Sequence, residues 1–587
     1  MPSLIRRATR SHAVLTCAIA LCLATTLRVV WLTSDPPTHA TVGIVWHDEG
    51  AWTHNARNRV LWGAWRTDEW NPMFLAPVFT GLEYLAFEAF GVGTWQARLV
   101  PVASGIASVA LIAIGLAAVS GGRAAAIGAL LLATNYVFVM WNRAALMEST
   151  MTALIVASWT AYAAAERWPR LGFLAGFAVV AAWFTKASAA FFILAIVGDC
   201  VLTLALARWP AARQRIAASE PGAAAVSAAI WTLAGLLAAA ALALVLFVMP
   251  HWQEYRFYTW QMSVVRKPAY TLRAFVDRAS WLPIVHDFFT RMWLVLGLAA
   301  LGTITIAARW RNATPAERML VWWLLLGLVE LVVHDSGNER RYIMFVPALV
   351  ALAAVFLGRT TTIQMPDEAS TARARWLLLP LLLLMAYLVF GSIIRLAFLY
   401  EVGPNVRLSA AAAALMVAVL LVRWRLVIVW FARQQISTRG AIVVVTIAVA
   451  GDLAQYAQWV THRTENNYRA SIELGRVLAP GTLVQGKLAN GLSLENRIRP
   501  LFIGHGFGNF EDRKNREDVR YILSYIAPRV GYEGSQILDV LDAYPNRKII
   551  MTFEVAETAT GHDRAALIDK FGTTGSTHAQ TTGRANH

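Results

Sequence analysis

The sequence predicts a polytopic α-helical membrane protein with about 13 spans, and three observations lead there. Runs of about 18–22 mostly apolar residues, the length that crosses a bilayer core, recur along most of the chain. The 587 residues are 57% hydrophobic and only 15% charged, with a mean hydropathy of +0.50, more apolar surface than one soluble core requires. Arginines cluster in short segments between the apolar runs, so the net charge of +16 follows the positive-inside pattern. No basic stripe lies on a soluble domain, which argues against nucleic acid as a partner. The short alternating strands of an outer-membrane barrel do not dominate.

The elements follow in order. The first apolar run comes after Arg6, Arg7 and Arg10 and lacks a clear small-x-small cleavage site, so it reads as an uncleaved span rather than a signal peptide. Candidate spans are 12–33, 97–119, 124–141, 147–165, 170–185, 188–207, 223–249, 291–308, 318–334, 342–358, 376–397, 408–423 and 440–460. An odd number places the termini on opposite sides. With the N-terminus in the cytoplasm, the loops at 120–123, 166–170, 208–215, 309–318, 359–375 and 423–439 are cytoplasmic, and each carries arginine. The opposite loops at 142–147 and 185–188 carry one basic residue each.

Three longer segments then face outward: 34–96, 250–290, and everything from Thr461. In the first, "EGAWTHNARNRVLWGAW" and "NPMFLAPVFTGLEYLAFEAFG" read as amphipathic helices lying in the interface plane or packing on the bundle. The last holds a helix near 464–478 and short β-like runs, "LVQGK", "RPLFIG", "RYILSYI" and "KIIMTFEV", so it reads as a small α/β domain. The expected organisation is a membrane domain at 1–460, an extracytoplasmic α/β domain at 461–574 and a disordered tail at 575–587. No internal repeat, Walker loop, dinucleotide fingerprint or HExxH is present, which disfavours an ATP-driven pump. Cys17, Cys22 and Cys200 all fall in predicted spans without metal-ligand spacing, and they imply no disulfide framework.

Charged groups at membrane depth are costly, so those that persist are functional candidates. Asp48 and Glu49 precede a helical pattern. They suit an N-cap and a first-turn acid, or a general base with a metal or substrate contact. Arg143 and Glu148 sit at the outer mouth of two spans, as an interfacial ion pair or with the carboxylate joining Asp48 around a divalent ion. Lys186 occupies a tight outer turn, where a lysine either snorkels or holds a phosphate. In "HDSGNERRYIMFVPAL", Arg340, Arg341 and Tyr342 crowd an outer helix end that should be arginine-poor. Forked recognition of a phosphate is one reason, and anchoring the helix end is the other.

This set resembles the GT-C superfamily of lipid-linked-sugar glycosyltransferases. It is most similar to the branch of protein O-mannosyltransferases and the bacterial aminoarabinose transferase that modifies lipid A. The resemblance rests on the Asp-Glu pair opening the first outer loop, the acid five residues after Arg143, Lys186 and "RRY…VPAL", in that order and on one side. It covers residues 1–360 well by topology and the remainder in outline. It implies an inverting transfer from a polyprenyl-phosphate sugar to a hydroxyl of an envelope glycan, lipid or protein, by a multi-pass protein of the inner (plasma) membrane. It makes Asp48 the base and Glu49 its partner. Lys186 and Arg341 would neutralise the leaving phosphate, with Arg340, Tyr342 and Arg143 as weaker contacts. Glu148, with Asp48 and His47, would be the candidate ligand set for a divalent metal (Mg, Mn or Zn). The sequence departs from the aminoarabinose branch at "DEWNPMF", where Glu69 and Pro72 remain but the lysine of that branch's Glu-Lys-Pro is absent. Lipid A modification is therefore not implied. The competing readings are a transporter or flippase of lipid-linked sugars, which should carry charges at the midplane rather than at one face, and a scaffold subunit.

Overall fold

The computed structural model describes residues 2–36, 47–210, 221–265, 272–277, 291–358 (without 309, 311–312 and 335–338), 408, 411, 415 and 437–572 (without 505, 528–536 and 557–562). The expected spans 376–397 and 408–423 (but for residues 408, 411 and 415), the loops 359–375 and 423–439 (but for its last three residues), and the tail 575–587 lie outside the described residues.

Apolar sequence becomes helix because lipid leaves no other partner for the backbone. The helices are α1 (Pro2–Val29), α2 (His47–Trp62), α3 (Pro77–Phe90), α4 (Thr94–Ser120), α5 (Gly122–Thr134), α6 (Tyr136–Trp141), α7 (Met147–Ala165), α8 (Leu171–Trp183), α9 (Ala190–Arg208), α10 (Ala223–Ala243), α11 (Trp252–Trp260), α12 (Trp293–Ala308), α13 (Pro315–His334), α14 (Val346–Gly358), α15 (Thr438–His462) and α16 (Asn466–Val477). Among the described residues, five helical stretches are long and apolar enough to cross a membrane, and four shorter apolar helices accompany them. The chain is a multi-pass membrane protein. The expected single span 124–141 is broken at Asn135, whose side chain caps α6 by accepting from Phe138 N at 3.0 Å. Asp452 of α15 accepts from Tyr136 N at 3.1 Å and so ties α15 to the same break.

Helix α2 departs from an in-plane amphipathic helix. Residues 47–58 are all buried. Its polar side chains are enclosed because each finds a partner: Asn55 donates to Trp65 O (2.7 Å) and Asn58 to Thr67 Oγ1 (2.7 Å), while His54 Nε2 lies 2.9 Å from Asp68 Oδ1. Packing on the protein, not on the lipid surface, is what holds it.

Beyond α16 the chain forms a five-stranded sheet in the order β2-β1-β3-β5-β4, with β1 Leu483–Gln485, β2 Arg499–Leu501, β3 Tyr521–Ala527, β4 Lys548–Val555 and β5 Asp563–Asp569. β1 runs parallel to β2 and β3, and β5 runs antiparallel to β3 and β4. Alternation covers both faces. Leu523, Tyr525 and Leu567 join Leu474 and Leu488 in one core, and Ile522, Ala566 and Ile568 join Val540 and Leu541 in another. Two short helices, α17 (Lys487–Gly491) and α18 (Ile537–Asp542), complete this unit.

Polar clasps fix the sheet unit to the helices. Asp35, just past α1, caps α16 by accepting from Asn466 N (2.6 Å) and Asn467 N (3.2 Å). The fully buried Arg57 of α2 donates to the carbonyls of Ser493 (3.1 Å), Asn496 (3.0 Å) and Ile498 (2.9 Å). Asp68 accepts from Phe502 N at 2.9 Å, and Glu495 accepts from Thr94 N at 2.6 Å. Stacking of Trp70 on Phe502, with ring centroids 4.8 Å apart, adds an aromatic seam.

Candidate active site

Where the N-termini of α2 and α7, the turn before α9, the 3-10 segment Glu339–Met344 and α17 meet, they enclose a cavity of about 400 Å³. Asp48, Lys186, Arg340, Arg341 and Lys487 line it. Trp52, Trp70, Trp183, Phe184, Tyr255 and Phe502 supply much of the apolar wall.

Asp48 is 8% exposed and held by cations on both oxygens. Arg340 Nη1 donates to Oδ2 at 2.7 Å, and Lys487 Nζ lies 3.5 Å from Oδ1. Burial alone would raise the pKa of this carboxyl, but Lys487 and Arg340 overcome that and hold it well below the usual carboxylate range. His47 Nε2 stands 3.7 Å from Asp48 Oδ1. Burial, with Lys487 adding, pushes its imidazole down to about 3, so it is neutral. Glu148, at the first turn of α7, receives Lys186 Nζ at 2.5 Å and lies 3.2 Å from Arg340 Nε. Burial pushes the Lys186 ammonium down to about 8, with Glu148 opposing the shift. Arg340 thus bridges the two acids, each of which has a lysine of its own. Four cations, Lys186, Arg340, Arg341 and Lys487, line the cavity together with Asp48, while Glu148 and Glu330 stand with Lys186 and Arg341 in the adjoining pocket.

The other expected site residues lie elsewhere. Glu49, one residue from Asp48, projects from another side of α2 and is clamped by Arg98 of α4, with Nε to Oε1 at 2.8 Å and Nη2 to Oε2 at 2.7 Å. It also accepts from Ala145 N at 2.7 Å. Arg143 caps the end of α1. It donates to the carbonyls of Leu27 (2.9 Å), Arg28 (2.9 Å), Val30 (2.7 Å) and Trp31 (2.6 Å), and Trp459 lies against its guanidinium at 4.7 Å. The terminal carbonyls of a helix lack intrahelical donors, and Arg143 supplies them. Tyr342 is 1% exposed and belongs to the main apolar core. Neither Glu49, Arg143 nor Tyr342 is among the described residues lining the cavity.

The donor set expected for a divalent metal stands among cations in this arrangement. Arg340 and Lys487 face Asp48, Lys186 and Arg340 face Glu148, and His47 lies on the Asp48 side at 3.7 Å. Among the described residues no three His, Cys, Asp or Glu side chains gather as a metal site.

Lys487, Trp52, Trp70 and Phe502 carry no sequence pattern that marks them as site residues. Lys487 lies in "LVQGK", which reads only as a short strand, and nothing in its spacing links it to Asp48.

No protein-family model matches the chain, and no curated protein does. Solved structures do. ArnT from Cupriavidus metallidurans in the apo state aligns with a TM-score of 0.54 at 16% identity, over 95% of this chain and 98% of that one. The same transferase bound to undecaprenyl phosphate aligns at 0.46, 17% identity and the same coverage. The Archaeoglobus fulgidus oligosaccharyltransferase in complex with zinc and sulfate aligns at 0.40 and 14% identity, over 87% of this chain and 68% of that one. The fold correspondence rests on the first of these, an aminoarabinose transferase. By that correspondence the chain shares the fold of ArnT.

Proposed function

We propose that this protein is a glycosyltransferase of the inner membrane. It would move a sugar, hexosyl or pentosyl, from a polyprenyl-phosphate-linked donor to a hydroxyl of an envelope glycan, lipid or protein at the extracytoplasmic face. The observation that carries the reading is the cavity beside Asp48, which joins four cations to an aromatic, apolar wall. A lipid phosphate bearing a sugar needs that combination. The fold shared with ArnT supports the same reading.

In the step proposed, the acceptor O–H gives its proton to a carboxylate oxygen of Asp48 as its oxygen attacks the anomeric carbon. The bond from that carbon to the phosphate oxygen breaks, and the phosphate leaves with the bonding pair. Attack opposite the leaving group inverts the anomeric centre. The phosphate goes from a monoanionic diester toward a dianionic monoester, so preorganised cations that meet the second charge lower the barrier. Lys186 and Arg341 stand on the Glu148 side of the cavity and are assigned to this phosphate. Arg340 touches both Asp48 and the Glu148 cluster, so charge growing on the phosphate draws on a cation that otherwise depresses the basicity of Asp48. Proton uptake and departure of the phosphate are thereby coupled. Glu49 and Arg143 act at one remove, by fixing α2 and the end of α1.

Mass spectrometry of envelope lipids, glycans and proteins from cells carrying the wild type or Asp48→Asn tests this reading. One glycosylated species should vanish with the variant, naming both sugar and acceptor. Identical profiles would refute the assignment.

A further inference from the structure

The sheet unit does more than cover the helices: it reaches the catalytic carboxylate. We infer that Lys487 is a positioning residue for Asp48, delivered by the docked C-terminal unit, so that the base is complete only when that unit is seated. This rests on the glycosyltransferase reading of Asp48 given above.

Three observations carry it. The first is charge. Arg340 is shared between Asp48 at 2.7 Å and Glu148 at 3.2 Å, so it cannot neutralise both acids. Lys186 serves Glu148, and Lys487, 3.5 Å from Oδ1, does the same for Asp48 from the opposite side. The second is backbone. Lys487 follows Gly486, whose φ of 121° is open to glycine and whose Cβ, if present, would stand 2.4 Å from Leu523 O. This turn throws the lysine off the end of β1 toward α2. The third is docking. Gly50 sits two residues after Asp48, and a Cβ there would stand 1.8 Å from Asn490 O. Asn490 also pairs with His54 of α2, Nδ2 to Nδ1 at 3.1 Å, and Arg57 holds the carbonyls that follow α17. The bare backbone at Gly50 is what lets α17 approach close enough for Lys487 to reach the carboxylate. These contacts over-determine where Lys487 stands, yet its side chain keeps 26% exposure on the cavity.

The test uses the full-length protein in nanodiscs, with donor and acceptor supplied as a lipid extract of host membranes and turnover read as released polyprenyl phosphate. Lys487→Met should lower kcat by about tenfold or more, equivalent to one unit in log rate, with the apparent KM for donor within about twofold. Lys487→Arg should restore most of kcat. Gly50→Ala, which separates the backbones and removes no charge, should lower kcat in the same sense. Thermal midpoints supply a readout that needs no substrate. Lys487→Met should lower Tm in the wild type and cost nothing in an Asp48→Asn background, where its partner charge is gone. Unchanged kcat with additive Tm shifts would overturn the inference, as would a rise in donor KM alone, which would make Lys487 a donor contact. Full turnover by Asp48→Asn would instead overturn the reading beneath it.

Discussion

Helix α13 has a buried arginine–carboxylate cluster near each end, and the two differ in what they leave open. Near its start, Arg318 donates to Asp199 Oδ1 at 2.8 Å, to its Oδ2 at 3.3 Å and to Thr203 at 2.9 Å, while Tyr162 donates to the same Oδ2 at 2.8 Å. Past its end, Arg340 and Lys487 hold Asp48, and Lys186 and Arg340 hold Glu148. In the first cluster one cation meets one acid, hydroxyls fill the rest, and Asp199 has no exposed surface. In the second, four cations and Asp48 line a cavity of about 400 Å³. Burial and pairing are therefore common to a structural staple and a candidate active site. Several cations gathered beside open volume separate them.

The largest expected effect breaks that comparison directly. Asp48→Asn should cut sugar transfer per folded molecule by about 10³-fold, since loss of a general base costs on the order of 10²–10⁴. Asp199→Asn should act on stability alone. Turnover per folded molecule should hold, while stability falls by about 3–5 kcal/mol because Arg318 loses its buried counter-charge. Activity loss without stability loss at Asp199 would erase the distinction between the clusters.

Next come the cations. Lys186→Ala or Arg341→Ala should weaken binding of polyprenyl phosphate by about 10–100-fold, from one charged hydrogen bond worth roughly 1.5–3 kcal/mol. Fluorescence of Trp52, Trp70 and Trp183, which line the cavity, gives the readout. Arg143→Gln should leave that affinity unchanged and lower Tm, because its guanidinium serves backbone carbonyls at the end of α1. An equal loss of binding at Arg143 would return it to the site.

A smaller effect follows from Lys186, whose ammonium is pushed down to about 8. Phosphate binding favours its charged form, so affinity should be full well below pH 8 and fall as pH rises through that value. Lys186→Arg, always charged, should flatten the fall. A pH-independent affinity in the wild type would remove Lys186 from the phosphate.

The smallest effect concerns Glu83 of α3, fully buried, with no hydrogen-bond partner among the described residues on either carboxyl oxygen. Burial, with Glu49 adding, raises its pKa well above the usual value. Its stability cost is absent below the unfolded pKa, about 4.3. The cost grows as pH rises, because the unfolded chain ionises there and the folded one does not. Glu83→Gln should therefore match the wild type in Tm near pH 4 and exceed it slightly at pH 7. A lower Tm at pH 7 would show that the carboxyl is ionised and paired.

The membrane class was legible because apolar length is a property of composition, and the bilayer enforces it. Asp48, Glu148, Lys186, Arg340 and Arg341 were legible as candidates because charge at helix ends is rare enough to stand out, and the fold gathers all but Glu148 around one cavity, with Glu148 paired to Lys186 beside it. Three features were not legible, each for a physical reason. Adjacent residues on a helix diverge by about 100°, so the Asp48–Glu49 pair splits between the cavity and Arg98. The partners of Arg143 are backbone carbonyls, which every sequence possesses, so its capping role leaves no side-chain pattern. Lys487 acts only through the packing of α17 on Gly50, a long-range contact that no local periodicity encodes.

The most direct test of the central claim is single-turnover release of polyprenyl phosphate by Asp48→Asn against the wild type, in nanodiscs, with folded protein matched by thermal unfolding. The account predicts a rate about 10³-fold below wild type with polyprenyl phosphate binding retained. Release at the wild-type rate would contradict it.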